Sequence, residues 1–148
     1  MITSRTVSSV SEGDALPELV IPITRTLIVS GALASRDYQD VHHDAKLAVD
    51  RGSPDIFMNI LTSNGIVGRY VTDWTGPAGF LRKVDIRLGA PNYPDDTMTM
   101  SGEVISVGDD EADPTRGVVT LSVTGANSIG NHVVGTVVVT LPRDEESA

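Results

Sequence analysis

The chain has no cysteine among its 148 residues, and aromatic residues make up only 4% of it. Without cysteine it forms no disulfide bond, no zinc–thiolate site and no thiol nucleophile. No apolar run approaches the ~20 residues of a membrane-spanning helix. The N-terminal stretch MITSRTVSSVSEGDALPEL also lacks the basic start and apolar centre of a signal peptide. We therefore expect a soluble, cytoplasmic protein of one domain.

Positive charge is scarce, with 11 Lys and Arg against 20 Asp and Glu and a net charge of −9. No basic stripe is present, so we expect no nucleic-acid-binding surface. The acidic residues cluster in the segment GDDEADPTRG and at the C-terminus. Runs of this kind usually keep a turn or a tail in water, and the spacing in the first cluster does not fit a calcium-binding EF-hand loop.

The second half of the chain is dominated by strand patterns. Apolar and polar residues alternate with period two in four segments, VDIRL, TMTMSGEVISV, VVTLSVTG and HVVGTVVVTLP. This alternation in β-branched residues predicts strands covered on at least one face, and the short connections favour an antiparallel meander. In the first half, LVIPITRTLIVS (19–30) predicts a further strand, with Pro22 near its start or on an edge.

Two helices are predicted between that first strand and the other four. Asp44 as N-cap and Gly52 as stop define a short helix. Asn59 can cap a longer helix that runs from Ile60 to about Val71. The order of elements is thus strand, loop, short helix, long helix and four strands.

Two glycines inside the long helix point to its surroundings. Gly65 and Gly68 should each cost about 1 kcal/mol relative to alanine, which suggests a thin helix face against a closely wrapped sheet. A central helix in a curled antiparallel sheet is the hot-dog fold of the α+β class, and a small all-β barrel with helical decoration is the alternative. We place the domain at 15–142, between a flexible N-terminal segment (1–14) and an acidic tail (143–148).

The segment SRDYQDVHHD, between the first strand and the short helix, concentrates groups that can move protons. Asp37 and His42, five residues apart across a turn, can converge on one water molecule. The carboxylate then orients or charges the site, and the imidazole titrates near neutrality. Such a pair suits the addition of water to a double bond or its removal. A solvated polar loop, with Asp44 only as a helix cap, is the commoner alternative.

An iron site is a second alternative for the same loop. His42 and Asp44 with the distant His132 follow the order of a site with two histidines and one carboxylate. Those sites lie at the edge of a double-stranded β-helix, whereas here a helix follows at once, so we expect no metal. His132 is predicted to have no catalytic part, and His43 to face solvent or to support the loop by hydrogen bonding.

This loop resembles the signature of the MaoC-like (R)-specific enoyl-CoA hydratases, which reads Asp, any residue, Asn, Pro, an aliphatic residue, His, any residue, Asp. The matching positions are Asp37, Val41, His42 and Asp44. Gln39 replaces the Asn of the signature, and Asp40 replaces the Pro. The strings GSPDIFMNILTSNGIVGRYVTDWTGP and IRLGAPNYPDDTMTMSGEV are similar to the small subunits of actinobacterial steroid side-chain enoyl-CoA hydratases, and the similarity covers about residues 15–141.

The resemblance implies a function and a set of partners. A hot-dog subunit with the dyad Asp37 and His42 would pair with a larger MaoC-like chain that lacks the dyad. Together they would hydrate the side-chain double bond of a steroid carboxyl-CoA thioester, and an associated aldolase would take the product. No cofactor is implied, because CoA is part of the substrate. Backbone N–H groups near Asn59 would stabilise the thioester oxygen, with Met58 and Asn59 standing where the general family has His and Gly.

Two other functions remain open from the sequence. Hot-dog thioesterases usually carry a carboxylate on or near the central helix, where this chain offers only Asp55. A non-catalytic partner subunit is the other, and the intact dyad argues against it. Homo- or hetero-oligomers are expected in each case, since one hot-dog sheet leaves edges and an apolar surface to pair with a second copy or a homologue.

Overall fold

The computed structural model describes residues 4–144. They form five strands and three helices of more than one turn, namely β1 (Ala15–Ile23), α1 (Arg25–Ala34), α2 (Ala45–Asp50), α3 (Ile60–Thr75), β2 (Phe80–Leu88), β3 (Asp96–Asp109), β4 (Arg116–Ala126) and β5 (Asn131–Pro142). Single turns of 3₁₀ helix lie at Val7–Ser9 and Asp40–His42. No helix within this part of the chain is long and apolar enough to cross a membrane.

The fold is a hot-dog fold, as the sequence predicts. All strand pairs are antiparallel, and the sheet order is β1-β3-β4-β5-β2. Helix α3 contacts β1 and β2, which are the two opposite edges of the sheet. A sheet whose two edges reach one helix must curl around it. The core lies between them and includes Val67 and Val71 of α3 and Met98 and Met100 of β3, all with no exposed surface.

Helix α1 is the element that the sequence patterns miss. Residues 19–30 were expected to form one strand, but the strand ends at Ile23 and a helix begins at Arg25. The Thr24 hydroxyl accepts a hydrogen bond from Leu27 N at 3.0 Å and caps the helix. Ile28 and Ala32, four residues apart, are completely buried. The run of apolar residues therefore buries a helical stripe rather than a strand face.

The predicted meander is correct for β3, β4 and β5 but wrong for β2. Strand β2 pairs with β5 and not with β3. The connection between them, residues 89–95, crosses the end of the curled sheet. It starts with Gly89 N, which donates to His132 O at 2.8 Å, and it ends with Asp95 N, which donates to Ile23 O at 2.8 Å. Curling brings the two sheet edges close enough for this short segment to span them.

The thin helix face expected at the two glycines of α3 is not observed. A Cβ atom at Gly65 would meet nothing within 4 Å, and one at Gly68 would make only an ordinary contact of 3.9 Å with Leu81. The close approach occurs instead at Gly31 of α1, where a Cβ would clash with the side chain of Thr62. The small residue that allows α1 and α3 to pack closely is therefore in α1 and not in α3.

The division into an N-terminal segment, a domain and an acidic tail stays a prediction. In the described part of the segment, Arg5 donates from its backbone to Thr75 O at 2.9 Å and from Nε to Trp74 O at 3.0 Å. Its guanidinium lies 4.9 Å from the centre of the Trp74 ring, and Val10 is buried in the core. The tail from residue 145 onward lies outside the described residues.

Candidate active site

The C-terminal end of α1 determines the position of Asp37. Ser35 is the C-cap, and Arg36 adopts a positive φ of 58°. Arg36 N donates to Leu33 O at 3.1 Å, and Asp37 N donates to Ala32 O at 2.9 Å. These two bonds form a Schellman motif, in which glycine usually occupies the left-handed position. The Asp37 backbone is thus anchored to the last turn of α1 rather than to a free loop.

His42 is held by the backbone of the segment before α3. Its side chain is only 8% exposed, and Nδ1 lies 2.7 Å from the carbonyl oxygen of Phe57. The imidazole also packs edge-on against the Phe57 ring, at 5.0 Å between centroids. Because a carbonyl oxygen only accepts, Nδ1 must carry a proton. In the neutral ring the lone pair therefore lies on Nε2.

Asp37 and His42 face each other. His42 Nε2 and Asp37 Oδ2 are 3.4 Å apart, which is longer than an ordinary N–H···O hydrogen bond. Both atoms therefore remain able to bind a third polar group in front of them. The catalytic role of the pair stays a prediction at this point, but the spacing of five residues does bring the two groups together.

Asn59 connects Asp37 to the start of α3. The Asn59 side-chain amide donates to Asp37 Oδ2 at 3.1 Å, and Gln39 N donates to Oδ1 at 3.4 Å. The amide contact is the main cause that lowers the pKa of Asp37, helped by Gln39 N–H and by His42 and opposed by burial. Asp37 is therefore a carboxylate at neutral pH. The sequence indicates Asn59 as a cap and a backbone donor but gives no signal for this contact.

Asp37 and His42 line a cleft of about 380 Å³, which we call the dyad cleft. Its other walls come from the start of α3, the end of β2 and the β2–β3 connection, and the lining residues are Gln39, Val41, Phe57, Met58, Asn59, Ile60, Leu88, Gly89, Pro91 and His132. Polar groups are thus concentrated at one place in a largely apolar pocket. Such a pocket is typical of a small-molecule site.

The two predicted substrate-binding residues, Met58 and Asn59, differ in what they offer. Met58 N donates to Asn92 O at 3.0 Å, so this N–H is already used. Asn59 N, by contrast, has no acceptor among residues 4–144, and it lies at the N-terminus of the 16-residue helix α3. Asn59 lines the dyad cleft, and the helix dipole favours negative charge at this end of α3. The binding roles of both residues stay predictions.

His132 is a cleft residue that the alternating pattern of β5 does not reveal. In the alternating pattern, His132 belongs to the same face of β5 as the more exposed Val134. Only 2% of His132 is exposed, because the β2–β3 connection covers it. Nδ1 lies 2.7 Å from Ala90 O, and Nε2 lies 2.8 Å from Ser63 Oγ. Burial lowers the pKa of His132. A neutral ring protonated on Nδ1 accepts a hydrogen bond from the Ser63 hydroxyl at Nε2, and this bond connects β5 to α3.

The remaining candidates lie apart from this arrangement. Asp44 caps α2 through Leu47 N at 3.0 Å, and His43 is exposed and lies 3.2 Å from Tyr38 O. Within residues 4–144 no three His, Cys, Asp or Glu side chains are grouped to hold a metal ion. Asp55 forms a two-point ion pair with Arg25 and does not line the dyad cleft. This ion pair lowers the pKa of Asp55.

Comparison with known proteins adds the family. No family model matches the chain. The β subunit of 3-oxo-4,17-pregnadiene-20-carboxyl-CoA hydratase from Mycobacterium tuberculosis is 52% identical over 125 residues, which span 84% of this chain and 92% of that protein. A chain in the crystal structure of the ChsH1–ChsH2 complex from the same organism is 49% identical with a TM-score of 0.82, and the match covers 88% of this chain and 98% of that one.

More distant structures share the fold. The (R)-hydratase PhaJ1 from Pseudomonas aeruginosa is 19% identical with a TM-score of 0.81, and the match covers 97% of this chain and 91% of that one. The (R)-hydratase from A. caviae is 19% identical with a TM-score of 0.78, and the match covers 90% of this chain and 98% of that one. The chain belongs to the family of the mycobacterial 3-oxo-4,17-pregnadiene-20-carboxyl-CoA hydratase β subunit, and it shares the fold of the MaoC-like dehydratases.

Proposed function

We propose that this chain is the catalytic subunit of an enoyl-CoA hydratase, which adds water across the α,β double bond of a bulky acyl-CoA thioester. The observation that carries the proposal is the pairing of Asp37 Oδ2 and His42 Nε2, 3.4 Å apart in an otherwise largely apolar cleft. The 52% identical relative, the β subunit of a pregnadiene carboxyl-CoA hydratase, supports the same reaction class.

In the proposed reaction the dyad activates one water molecule. The ionised Asp37 accepts one hydrogen bond from the water, and the lone pair on His42 Nε2 takes its other proton. The oxygen of the water then forms a bond to the β-carbon, and the electrons of the double bond move toward the thioester oxygen. The imidazolium returns its proton to the α-carbon of the enolate. The product gains one hydroxyl and one hydrogen on the same face.

The negative charge on the thioester oxygen needs a donor, which we assign to Asn59 N–H. A single preorganised donor of this kind is typically worth about 10²–10³-fold in rate. The dipole of α3 adds to it, because the charge forms at the N-terminus of the helix. Met58 then contributes to the apolar wall beside this donor. The reaction needs no cofactor, since the CoA belongs to the substrate.

The substrate and the partner follow from the relatives and from the size of the cleft. We propose a steroid side-chain enoyl-CoA of sterol breakdown, because the relative's name specifies a pregnadiene carboxyl-CoA. The dyad cleft of one chain, about 380 Å³, is small for four fused rings and a thioester. A larger MaoC-like subunit therefore completes the pocket, and the 49% identical chain is itself part of a complex, that of ChsH1 and ChsH2. The β-hydroxyacyl product suits an associated aldolase, and we place the reaction in the cytoplasm.

The thioesterase alternative is less well supported by the site. The carboxylate candidate that the sequence offers for this reaction is Asp55, and that group is paired with Arg25 outside the cleft. Asp73, in the last turn of α3, does not line the cleft either. Release of free CoA, measured with a thiol reagent, distinguishes the two reactions. A hydratase lowers the absorbance of the enoyl-thioester without releasing a thiol.

The first prediction tests the dyad in the complex of this chain with its co-expressed large subunit. Asp37→Asn and His42→Gln should each lower hydration of a steroid enoyl-CoA by roughly 10²–10⁴-fold, because each removes one proton-handling group. The loss of enoyl-thioester absorbance measures the rate. His43→Gln is the matched control and should retain full activity, since His43 lies outside the cleft.

The same assay can reject the proposal. Full hydration by a folded Asp37→Asn complex would place the chemistry in the partner and make this chain the non-catalytic subunit. A short-chain enoyl-CoA used alongside the steroid substrate tests the proposed specificity. Faster turnover of the short chain would contradict it.

A further inference from the structure

The Asn59 side chain makes three hydrogen bonds, and they fix its orientation. Oδ1 accepts from Thr62 N at 3.0 Å, while Nδ2 donates to Asp37 Oδ2 at 3.1 Å and to Ser35 Oγ at 2.9 Å. A flipped amide would set its NH₂ group against the Thr62 N–H and its oxygen against a carboxylate. Only the observed orientation satisfies all three partners. With 1% of its surface exposed, Asn59 has no alternative contact with bulk water.

Asp37 has few other groups to compensate its charge. The titratable group that faces it is His42, at 3.4 Å, and the cleft also contains His132. Among residues 4–144, no lysine or arginine forms an ion pair with Asp37. The Gln39 N–H contact is long, at 3.4 Å. The Asn59 amide is therefore the shortest hydrogen-bond donor to this carboxylate.

We propose that Asn59 is a positioning residue, whose amide fixes the Asp37 carboxylate in front of His42 Nε2 and ties it to the N-terminus of α3. This inference rests on the proposed hydratase function. One side chain then links the dyad and the backbone donor that stabilises the thioester oxygen. Ser35 completes the link, because its hydroxyl accepts from Asn59 and donates to Gly31 O at 2.7 Å. The ends of α1 and α3 are thereby held at a constant distance across the site.

The test separates this role from that of a simple helix cap. Asn59→Ser keeps an oxygen that can cap α3, but its hydroxyl is about one bond length too short to bridge Thr62 N and Asp37. Asn59→Asp also caps the helix and replaces the donor to Asp37 with a like charge. Asn64→Ser is the matched control, since Asn64 lies on the same helix and bonds only to Ile60 O.

Two measurements are made on the full chain. In the isolated chain, carbon-13 NMR of the side-chain carboxyl follows the titration of Asp37, and Asn59→Ser should raise its pKa because the charged form loses a hydrogen bond. In the complex with the large subunit, kcat should fall by roughly 10- to 100-fold with little change in KM. Asn59→Asp should raise the pKa further and lower kcat more. Asn64→Ser should change neither.

The outcomes distinguish this inference from the proposed function. A lower melting temperature of Asn59→Ser with an unchanged Asp37 titration and kcat would reduce Asn59 to a helix cap and overturn the inference. No change in any measurement would overturn it as well. If Asn59→Ser shifts the titration while Asp37→Asn leaves hydration intact, the positioning contact is upheld and the proposed function fails instead.

Discussion

At the scale of single residues, backbone carbonyl groups set the state of the two imidazoles in the dyad cleft. His42 Nδ1 faces Phe57 O, and His132 Nδ1 faces Ala90 O, each at 2.7 Å. Neither ring meets a buried carboxylate at this nitrogen. The carbonyl fixes the tautomer without adding a charge, so in the neutral His42 ring the lone pair is on Nε2, the atom that faces Asp37.

The second prediction concerns this tautomer. At about pH 8, where an ordinary imidazole is neutral, nitrogen-15 NMR should show the proton of His42 and His132 on Nδ1. The exposed His43 provides the internal control, because its Nε2 lies 3.2 Å from Tyr38 O and should carry the proton instead. A His42 ring protonated on Nε2 would contradict the role of that atom as the proton acceptor.

At the scale of elements, α3 is the part on which the site is assembled. Its N-terminus holds the dyad through Asn59, its second turn bonds to β5 through Ser63 and His132, and its Thr62 packs on Gly31 of α1. These contacts come from three separate elements. A change in how any of them packs on α3 should therefore affect stability before it affects chemistry.

The third prediction compares Gly31 of α1 with Gly65 of α3. Gly31→Ala should lower the free energy of unfolding by about 1–2 kcal/mol, because the new methyl group clashes with Thr62. Gly65→Ala should raise it by about 1 kcal/mol, since its Cβ meets open space in a helix interior. Urea denaturation measures both, and Thr62→Ala should relieve the clash. Equal effects of the two substitutions would contradict the observed packing.

The fourth prediction is a dependence of stability on pH through His132. Because burial lowers its pKa in the folded protein, the unfolded chain binds this proton more readily, and stability should fall as pH decreases below 6.5. The loss is at most about 1.4 kcal/mol per pH unit. His132→Gln should reduce the change in melting temperature between about pH 7 and pH 5. His43→Gln should leave this pH dependence unchanged. If the melting temperature of His132→Gln depends on pH as strongly as that of the wild type, His132 is not the group responsible.

At the scale of the whole molecule, the two edges of the sheet differ. The free edge of β1 carries Pro17 and Pro22, which cannot donate a backbone hydrogen bond, and a bulge between Leu16 and Leu19. The other edge, β2, contains no proline and exposes Phe80 and Leu81. Strand β2 also has a register shift, between Leu81 and Lys83. An edge strand without proline and with exposed apolar side chains is suited to pairing with another subunit, so we expect β2 to face the partner.

The fifth prediction tests this edge. Leu81→Lys should abolish or strongly weaken association with the co-expressed large subunit, because it places a charge where apolar side chains are buried. Val20→Lys is the matched control on β1, where Val20 is 58% exposed, and should leave association intact. Size-exclusion chromatography with light scattering measures the mass of the complex. Loss of the complex in Val20→Lys alone would show that the partner binds at β1 and not at β2.

Local patterns were sufficient for the parts of the fold that depend on nearest neighbours in sequence. Alternation with period two predicted β2 to β5, and the cap at Asn59 predicted the start of α3, because both features depend on residues within a few positions of each other. The pair Asp37 and His42 was found in the same way, since a spacing of five across a turn limits how far apart they can lie. Their chemical role stays a prediction.

By itself, then, the sequence determined strands β2 to β5, the central helix and the loop that carries the candidate dyad. Only the tertiary structure decided that 25–34 forms a helix, that β2 pairs with β5, that Asn59 reaches Asp37 and that His132 lies buried against Ser63. The last two contacts join residues 22 and 69 positions apart. The physical reason is that such contacts depend on how the sheet curls around α3, and no pattern within one segment records that curvature.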